Sequence, residues 1–410
     1  MKSFIPNTVA SLQTTETTKF NQAATSVELS VVMPCLNESD TLATCIEKAQ
    51  RAIAENNISA EIIVADNGST DDSPEIARSL GARLVNVAEK GYGSALMGGI
   101  ASARGKFVIM GDADDSYDFL EIPKFVEKLR QGYDLVQGCR LPAGGGRVLP
   151  GAMPFLHRWW GNPMFSALAR IWFYAPINDV YCGLRGFTKA HYESLQQQCT
   201  GMEFATEMII KSSLYDSKIT EVPITLHPDG RKSHPPHLKT FRDGWRTLRF
   251  FLLYSPKWLF YVPGRILILL GILGYILALS GVTFLGQVHF DLHTLLFSSF
   301  LITCGYQAIL FAILTKTFAV NEKMVPEDKR LTRLYQTVNL EKGVIISSLM
   351  LLVGLTFLGF VVNEWRLTDF GNLEYGNTMR LTIIGVMLSS LGFESLLFSF
   401  FASILGVQRR

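Results

Sequence analysis

The nonapeptide Gly111–Phe119, GDADDSYDF, holds four aspartates and follows directly on the strand-like run KFVIM. Like charges this close repel, and burying them is costly unless something positive sits among them. A divalent cation or a hydrogen-bonded ligand would meet that need. One aspartate can cap a following helix, but capping uses a single carboxylate. The chemistry read from this tip is therefore binding of a divalent cation or of a hydrogen-bonded ligand, with Asp115 and Asp118 left to solvent or to a helix cap.

The elements that must carry the tip alternate in pattern. Glu28–Met33, Glu61–Ala65, Arg83–Asn86, Phe107–Met110 and Leu135–Gln137 read as strands. Helical spacing fills Thr41–Glu55, Pro74–Leu80, the stretch after EKGYGSA, and Ile122–Arg130. This alternation predicts an α/β domain, a mostly parallel sheet with helices on both faces. Ligands bind such sheets outside the carboxyl ends of the strands. PCLNES follows the first strand, DNGSTDD the second and GDADDS the fourth. One polar strand end is turn chemistry; three on the same edge predict a pocket. Lys90–Gly99, KGYGSALMGG, is glycine-rich but is neither a Walker motif nor a dinucleotide fingerprint. Beside an acidic metal site, Gly91 and Gly93 would let backbone N–H groups approach a phosphate at a helix start.

The chain has 410 residues, enough for two or three domains. Its net charge of +2 argues against a nucleic-acid protein held by bulk electrostatics. The six cysteines form no CxxC pair and suit a reducing compartment. Residues 1–26 are polar, lack the apolar centre of a signal peptide, and read as a mobile tail.

The second half is different. Ile266–Leu285, Thr294–Leu314 and Gly343–Val362 are uncharged apolar runs, and Leu381–Val407 carries only Glu394. Each is long enough to span a bilayer. Lys316, Lys323, Lys329, Arg330, Arg333 and Lys342 crowd one loop, and the positive-inside rule places it in the cytoplasm. Four spans then leave both ends cytoplasmic, including Arg409–Arg410. Phe241–Arg265 interleaves Arg242, Arg246 and Arg249 with Trp245, Trp258 and Tyr261, as an amphipathic helix on the inner leaflet does. Glu394, near Ser389, Ser390 and Ser395 and within reach of Gln307, serves either helix packing or lipid handling. The units are a tail (1–26), a soluble domain (27–240), a juxtamembrane segment (241–264) and an all-α domain of four membrane helices (265–410).

The ordered set VVMPCLNE (31–38), VADNGSTDDS (64–73), KGYGSAL (90–96) and MGDADDS (110–116) resembles the family 2, GT-A glycosyltransferases. QGCR (137–140), NDVYCGLRGF (178–187) and ITEVPITL (219–226) place the resemblance in the dolichol-phosphate mannose/glucose synthase branch. It covers about residues 28–240, and synthases of this branch often carry C-terminal spans. The resemblance implies a GT-A, Rossmann-like fold and inverting transfer of one hexose to a polyprenyl phosphate. The donor would be a nucleotide-diphosphate sugar of the GDP-mannose or UDP-glucose type. Pro34, Asn37 and Glu38 would border the base, and Asp66 the base or ribose. Asp112 and Asp114 would hold Mg²⁺ or Mn²⁺ on the diphosphate, with Ser116 where archaeal synthases place a glutamine ligand. Arg140 would face the acceptor phosphate, joined by Arg158 and Asn162 of LHRWWGN. Arg231 and Lys232, with Lys239 behind them, would lie near the diphosphate.

Plainer roles stand beside these. Asp66 fits a turn, Arg140 an ion pair, and Arg158 beside Trp159 and Trp160 an anchor at the membrane surface. Asp179 and Arg185 fit a structural pair beneath the site; Glu203 and Glu207 lie one helical turn apart and suit sugar contact or packing equally. The histidines show no metal spacing. Two other functions compete: a processive polysaccharide synthase, for which the Gln-x-x-Arg-Trp motif is missing, and a non-catalytic partner that binds or translocates a glycolipid.

Overall fold

The computed structural model describes residues 27–231, 240–280, 283–284, 288–322, 324–337 and 339–406. The expected tail 1–26, Lys232, Lys239 and Arg409–Arg410 lie outside them.

Strands and helices alternate as the sequence predicts. The order is β1 (Leu29–Cys35), α1 (Leu42–Glu55), β2 (Ala60–Asp66), α2 (Ser73–Ser79), β3 (Arg83–Asn86), α3 (Tyr92–Ser102), β4 (Phe107–Met110), α4 (Ile122–Arg130) and β5 (Leu135–Cys139). Next come β6 (Arg147–Val148), α5 (Asn162–Phe173), β7 (Arg185–Thr188), α6 (Lys189–Leu195), α7 (Phe204–Leu214), β8 (Ile219–Pro223) and β9 (Thr225–Leu226). The main sheet runs β3-β2-β1-β4-β7-β5-β8, parallel throughout except for β7, which is antiparallel to β4 and β5.

Period-two alternation divides the core. Val31, Met33, Ile62, Val64, Phe107 and Ile109 face Leu42 and Ile46 of α1 and Phe125 and Leu129 of α4. Val32, Ile63, Ala65, Val108 and Met110 face the other way, toward Leu96 of α3 and Met208 and Ile209 of α7. Both faces are covered, which is why the central strands read as continuous apolar runs.

The second face also receives α8 (Thr240–Tyr254), the expected interfacial helix. Phe250, Phe251 and Tyr254 are buried in the core there. Phe251 meets Phe165 and Phe173 edge-on. Part of the apolar side of α8 is thus taken by protein, and Trp245 and Leu253 remain exposed.

Among the described residues, four helices are long and apolar enough to span a membrane: Lys257–Ser280, Leu292–Asn321, Leu340–Leu367 and Tyr375–Gly406. The first opens with a π-helical turn, Lys257–Tyr261, and continues as α9 (Val262–Ser280). It ends five residues before the expected Leu285; β10 (Thr283–Phe284) pairs antiparallel with β11 (Val288–His289) instead. The others are α10 (Leu292–Asn321), α12 (Leu340–Leu367) and α13 (Tyr375–Gly406), with the short α11 (Lys329–Thr337) between α10 and α12. Small residues set their spacing. A Cβ on Gly264 would stand 2.7 Å from the Gly305 carbonyl, and one on Gly354 2.5 Å from the Ser389 nitrogen. Glu394 Oε2 is buried with no hydrogen-bond partner among the described residues, while nearby Ser395 bonds Tyr306 of α10.

Inside the soluble unit, Glu207 and Lys211 on α7 form an ion pair of 2.8 Å with almost no solvent exposure. Removing one member of such a pair strands the other. Lys211→Met should lower the unfolding free energy by about 3 kcal/mol, and Glu207→Gln/Lys211→Met should recover part of that loss, because glutamine removes the stranded charge and keeps an acceptor for the amides of Gln198 and Cys199. Denaturant melts of the purified full-length chain check both.

Candidate active site

The three polar clusters converge at the carboxyl edge of the sheet. Pro34 stays inside β1, paired with Ala65, so the strand continues past the expected stop. Asn37 adopts a left-handed turn, φ 60°. Its amide donates to Ser69 Oγ, and its Oδ1 accepts from the Thr70 amide. Glu38 is buried, and its amide donates to Ser73 Oγ. Asp66, also buried, accepts from the amides of Gly68 and Ser69 and so ties its own turn. These bonds lash the first two strand ends together.

At the end of β4 the four aspartates separate into different jobs. Asp118 caps a 3₁₀ turn through the Leu120 amide, and Asp115 pairs with Lys48 at 2.7 Å. Asp112 Oδ1 accepts from the Tyr92 hydroxyl at 2.8 Å. Asp114 Oδ1 accepts from the Ser116 amide and, at 2.6 Å, from its hydroxyl. Asp114 Oδ2 lies 3.3 Å from Arg231, which also reaches Glu38 at 3.2 Å and Asp229 at 2.5 Å. Burial, then the charge of Asp114, pushes the Asp112 carboxyl up to about 6, against the Tyr92 hydrogen bond and the positive field of Arg231 and Arg140.

Among the described residues, no three His, Cys, Asp or Glu side chains gather as a metal cluster. Two half-buried carboxylates side by side still suit Mg²⁺ or Mn²⁺, because such ions take one or two carboxylates and fill the remainder with phosphate and water oxygens. The Ser116 hydroxyl is occupied in orienting Asp114.

Gly91 and Gly93 lie at the start of α3, with Gly91 at φ 138°. Backbone crowds them: a Cβ on Gly91 would stand 2.4 Å from the Thr200 carbonyl, and one on Gly93 2.4 Å from the Cys199 carbonyl. Two of the amides here are already committed, Gly91 to Asn67 Oδ1 and Ser94 to Thr200 O. The small size of both glycines therefore has a packing cause in the strap 196–201.

Arg140 is not at the surface. It is 7% exposed and grips Asp179 through Nε (2.7 Å) and Nη2 (2.8 Å). Its Nη1 is 3.4 Å from the Tyr117 hydroxyl, which accepts from the Gly183 amide. The expected pairing of Asp179 with Arg185 is replaced by this one. Arg185, fully buried, donates instead to the carbonyls of Ala205 and Cys182. It points the other way because β7 runs antiparallel between β4 and β5.

A cavity of about 400 Å³ opens beside Asp112, Tyr92, Tyr117 and Arg140 and runs outward past Asn162 to Leu156, Trp160 and Met164. Those last three side chains are 47–71% exposed. Asn162 is buried and contacts Met153. Arg158 does not line this cavity; its guanidinium stacks over Trp159 at 5.3 Å. The sequence reading missed Tyr92, Tyr117 and Asn67. Tyr92 stands inside the KGYGSAL motif and Tyr117 inside the acidic tip itself, and that placement is the available signal.

Residues 30–195 match the glycosyl transferase family 2 domain, and residues 313–406 the glycosyltransferase family 2 C-terminal transmembrane region. The low-salt glycan biosynthesis hexosyltransferase Agl6 of Haloferax volcanii is 37% identical over 379 residues, 92% of this chain and 89% of that protein. A dolichyl-phosphate hexose transferase of the same organism is 32% identical over 198 residues, 48% of this chain and 82% of its own length. Glucosyl-3-phosphoglycerate synthase from Mycobacterium tuberculosis, solved with Mn²⁺, uridine diphosphate and glucosyl-3-phosphoglycerate, overlaps 55% of this chain and 77% of its own at TM-score 0.42 and 21% identity, a likeness too weak to assign anything here. The charged strand edge with its flanking motifs, read with the Agl6 match along nearly the whole chain, shows that this protein is a glycosyltransferase of family 2 carrying the family's C-terminal transmembrane region.

Proposed function

We propose that the chain transfers one hexose from a nucleotide-diphosphate sugar to a polyprenyl phosphate at the cytoplasmic membrane face, with inversion at the anomeric carbon. The observation that carries this reading is the cavity: it has Asp112 and Arg140 at one end and an exposed aromatic and aliphatic rim at the other. A phosphate on a long apolar tail matches both ends. The hexosyl group follows the names of the two Haloferax volcanii relatives, one of which is a dolichyl-phosphate hexose transferase.

The donor nucleotide, of the GDP-mannose or UDP-glucose type, would lie along Pro34, Asn37, Glu38 and Asp66, with Gly91 and Gly93 beneath the strap. Asp112 and Asp114 would hold Mg²⁺ or Mn²⁺, which when bound offsets negative charge on the departing nucleotide. Ser116 orients Asp114, and Tyr92 orients Asp112. Arg231 supplies a cation between Glu38 and Asp114, within reach of a diphosphate. The Lys232 role belongs to the same proposal. Asp179 holds Arg140 in one orientation, leaving Nη1 toward Tyr117 and the cavity. A guanidinium fixed in this way binds an anionic oxygen without first losing side-chain freedom. The acceptor phosphate is already anionic at neutral pH, so no strong general base is required. Asn162 would border the acceptor, and Arg158 on Trp159 would sit at the lipid surface.

The soluble unit 27–240, the segment 241–264 and the four-helix unit 265–410 form the corresponding division of labour. The basic 316–342 loop faces the cytoplasm under the positive-inside rule. In a cysteine-depleted background, Arg330→Cys should resist an impermeant maleimide in intact cells and Asn372→Cys should react; the reverse pattern would invert the topology.

Asp114→Ala should lower turnover by at least about 100-fold. The assay is transfer of labelled sugar, from a panel of nucleotide sugars with Mn²⁺ or Mg²⁺, into an organic-extractable product; near-normal turnover sinks the metal assignment. Arg140→Ala would strand buried Asp179, so the informative variant is Arg140→Gln/Asp179→Asn. Its KM for polyprenyl phosphate should rise about tenfold or more, with donor KM little changed; an effect on donor KM alone would contradict the assignment.

A further inference from the structure

We infer that Glu207 is a positioning residue: from α7 it fixes the strap 196–201, and through it the start of α3 and the Tyr92–Asp112 contact. The inference rests on the reading of Asp112 as part of the donor site.

Glu207 is fully buried. Its carboxylate accepts from the amides of Gln198 (3.1 Å) and Cys199 (2.9 Å), from Lys211 Nζ (2.8 Å) and from the Tyr254 hydroxyl (3.3 Å). Lys211 also donates to the Gln196 carbonyl at 2.9 Å. The strap is therefore gripped at Gln196, Gln198 and Cys199, near where it turns through left-handed Gln196. Its next carbonyl, Thr200, accepts from the Ser94 amide in the first turn of α3. With Gly91 and Gly93 already in contact with the backbone of Cys199 and Thr200, the strap has no room to shift without moving that turn. Tyr92 is the first residue of α3, and its hydroxyl is the group that holds Asp112.

At the far end is the membrane. Tyr254 is the last residue of α8, three positions before the first spanning helix begins at Lys257. A displacement of α8 at its membrane end would load Glu207 first. An apolar pair of similar volume could fill the space of Glu207 and Lys211, but it would leave the amides of Gln198 and Cys199 without an acceptor. What a carboxylate adds is direction: it binds two strap amides, a lysine and a tyrosine at once.

Amide hydrogen exchange on the full-length chain in lipid nanodiscs tests the linkage without any ligand. Tyr254→Phe keeps the ring stacked on Phe250 and removes only the hydroxyl. It should speed exchange in residues 92–96 about tenfold, while Leu135–Cys139 is unchanged. Change confined to 196–201 and 250–256 would overturn the inference. Glu207→Gln should act on the same amides more strongly; because that substitution risks misfolding, Tyr254→Phe is the deciding variant. In the transfer assay, Tyr254→Phe should raise donor KM and leave acceptor KM alone, and Tyr92→Phe/Tyr254→Phe should be no worse than Tyr92→Phe. Additive losses would contradict a shared route. If the hexosyl-transfer reading itself fails, turnover is absent in the unmodified chain while the exchange result stands or falls separately.

Discussion

Two carboxylates two positions apart at a buried strand end are the constraint around which the soluble unit is arranged. Burial and the neighbouring charge of Asp114 both disfavour the ionised form of Asp112. The surrounding groups oppose that penalty in order of proximity. Tyr92 and Ser116 donate hydrogen bonds directly, and Arg231 bridges Asp114 to Glu38. Arg140 and Arg185 contribute from deeper positions. Each cation then needs its own compensation. Arg140 draws Asp179, whose neighbour Asn178 binds Glu221 on β8. Arg185 takes two backbone carbonyls. The acidic strand end has in this way fixed polar choices on β7 and β8 and in the loops after β1, β4 and β5.

Much of this frame is legible in the sequence because the sheet is covered on both faces. Continuous apolar runs bounded by polar turns mark β1 to β5 to within a few residues, and the Asp/Asn/Ser clusters mark the carboxyl edge of the sheet. Partners that lie far apart in the chain are harder to read. Asp179 and Arg185 are six residues apart and look like a pair, yet antiparallel β7 turns Arg185 toward α7 and leaves Asp179 to Arg140, 39 residues away. Local spacing carries no information on which strand a reversed segment will join.

The glycines show a second limit. KGYGSAL reads as a loop open to phosphate, and flexible glycines at a helix start do serve that purpose. Here the space above them is filled by residues 199–201, a segment about a hundred positions away that no motif announces. The same residue type satisfies two demands, close approach of a ligand and close approach of backbone, and sequence alone cannot separate them. The aromatic helix α8 presents the same ambiguity. Its amphipathic pattern predicts an apolar face to be buried but not what buries it, and the catalytic unit claims Phe250, Phe251 and Tyr254 for its own core.

That claim bears on how the two halves work together. Met324 and Val325, in the loop after α10, pack on the same core cluster as α8. The soluble unit is thus held by the membrane unit at two points of the chain, on the sheet face shared with α3 and α7. The acceptor proposed above, with its insoluble tail, would present its phosphate at a fixed depth, and the donor would arrive from water. A single flexible linker would let the cavity mouth wander relative to the bilayer. Two attachments on one face limit that motion, and they leave the cavity rim of Leu156, Trp160 and Met164 exposed.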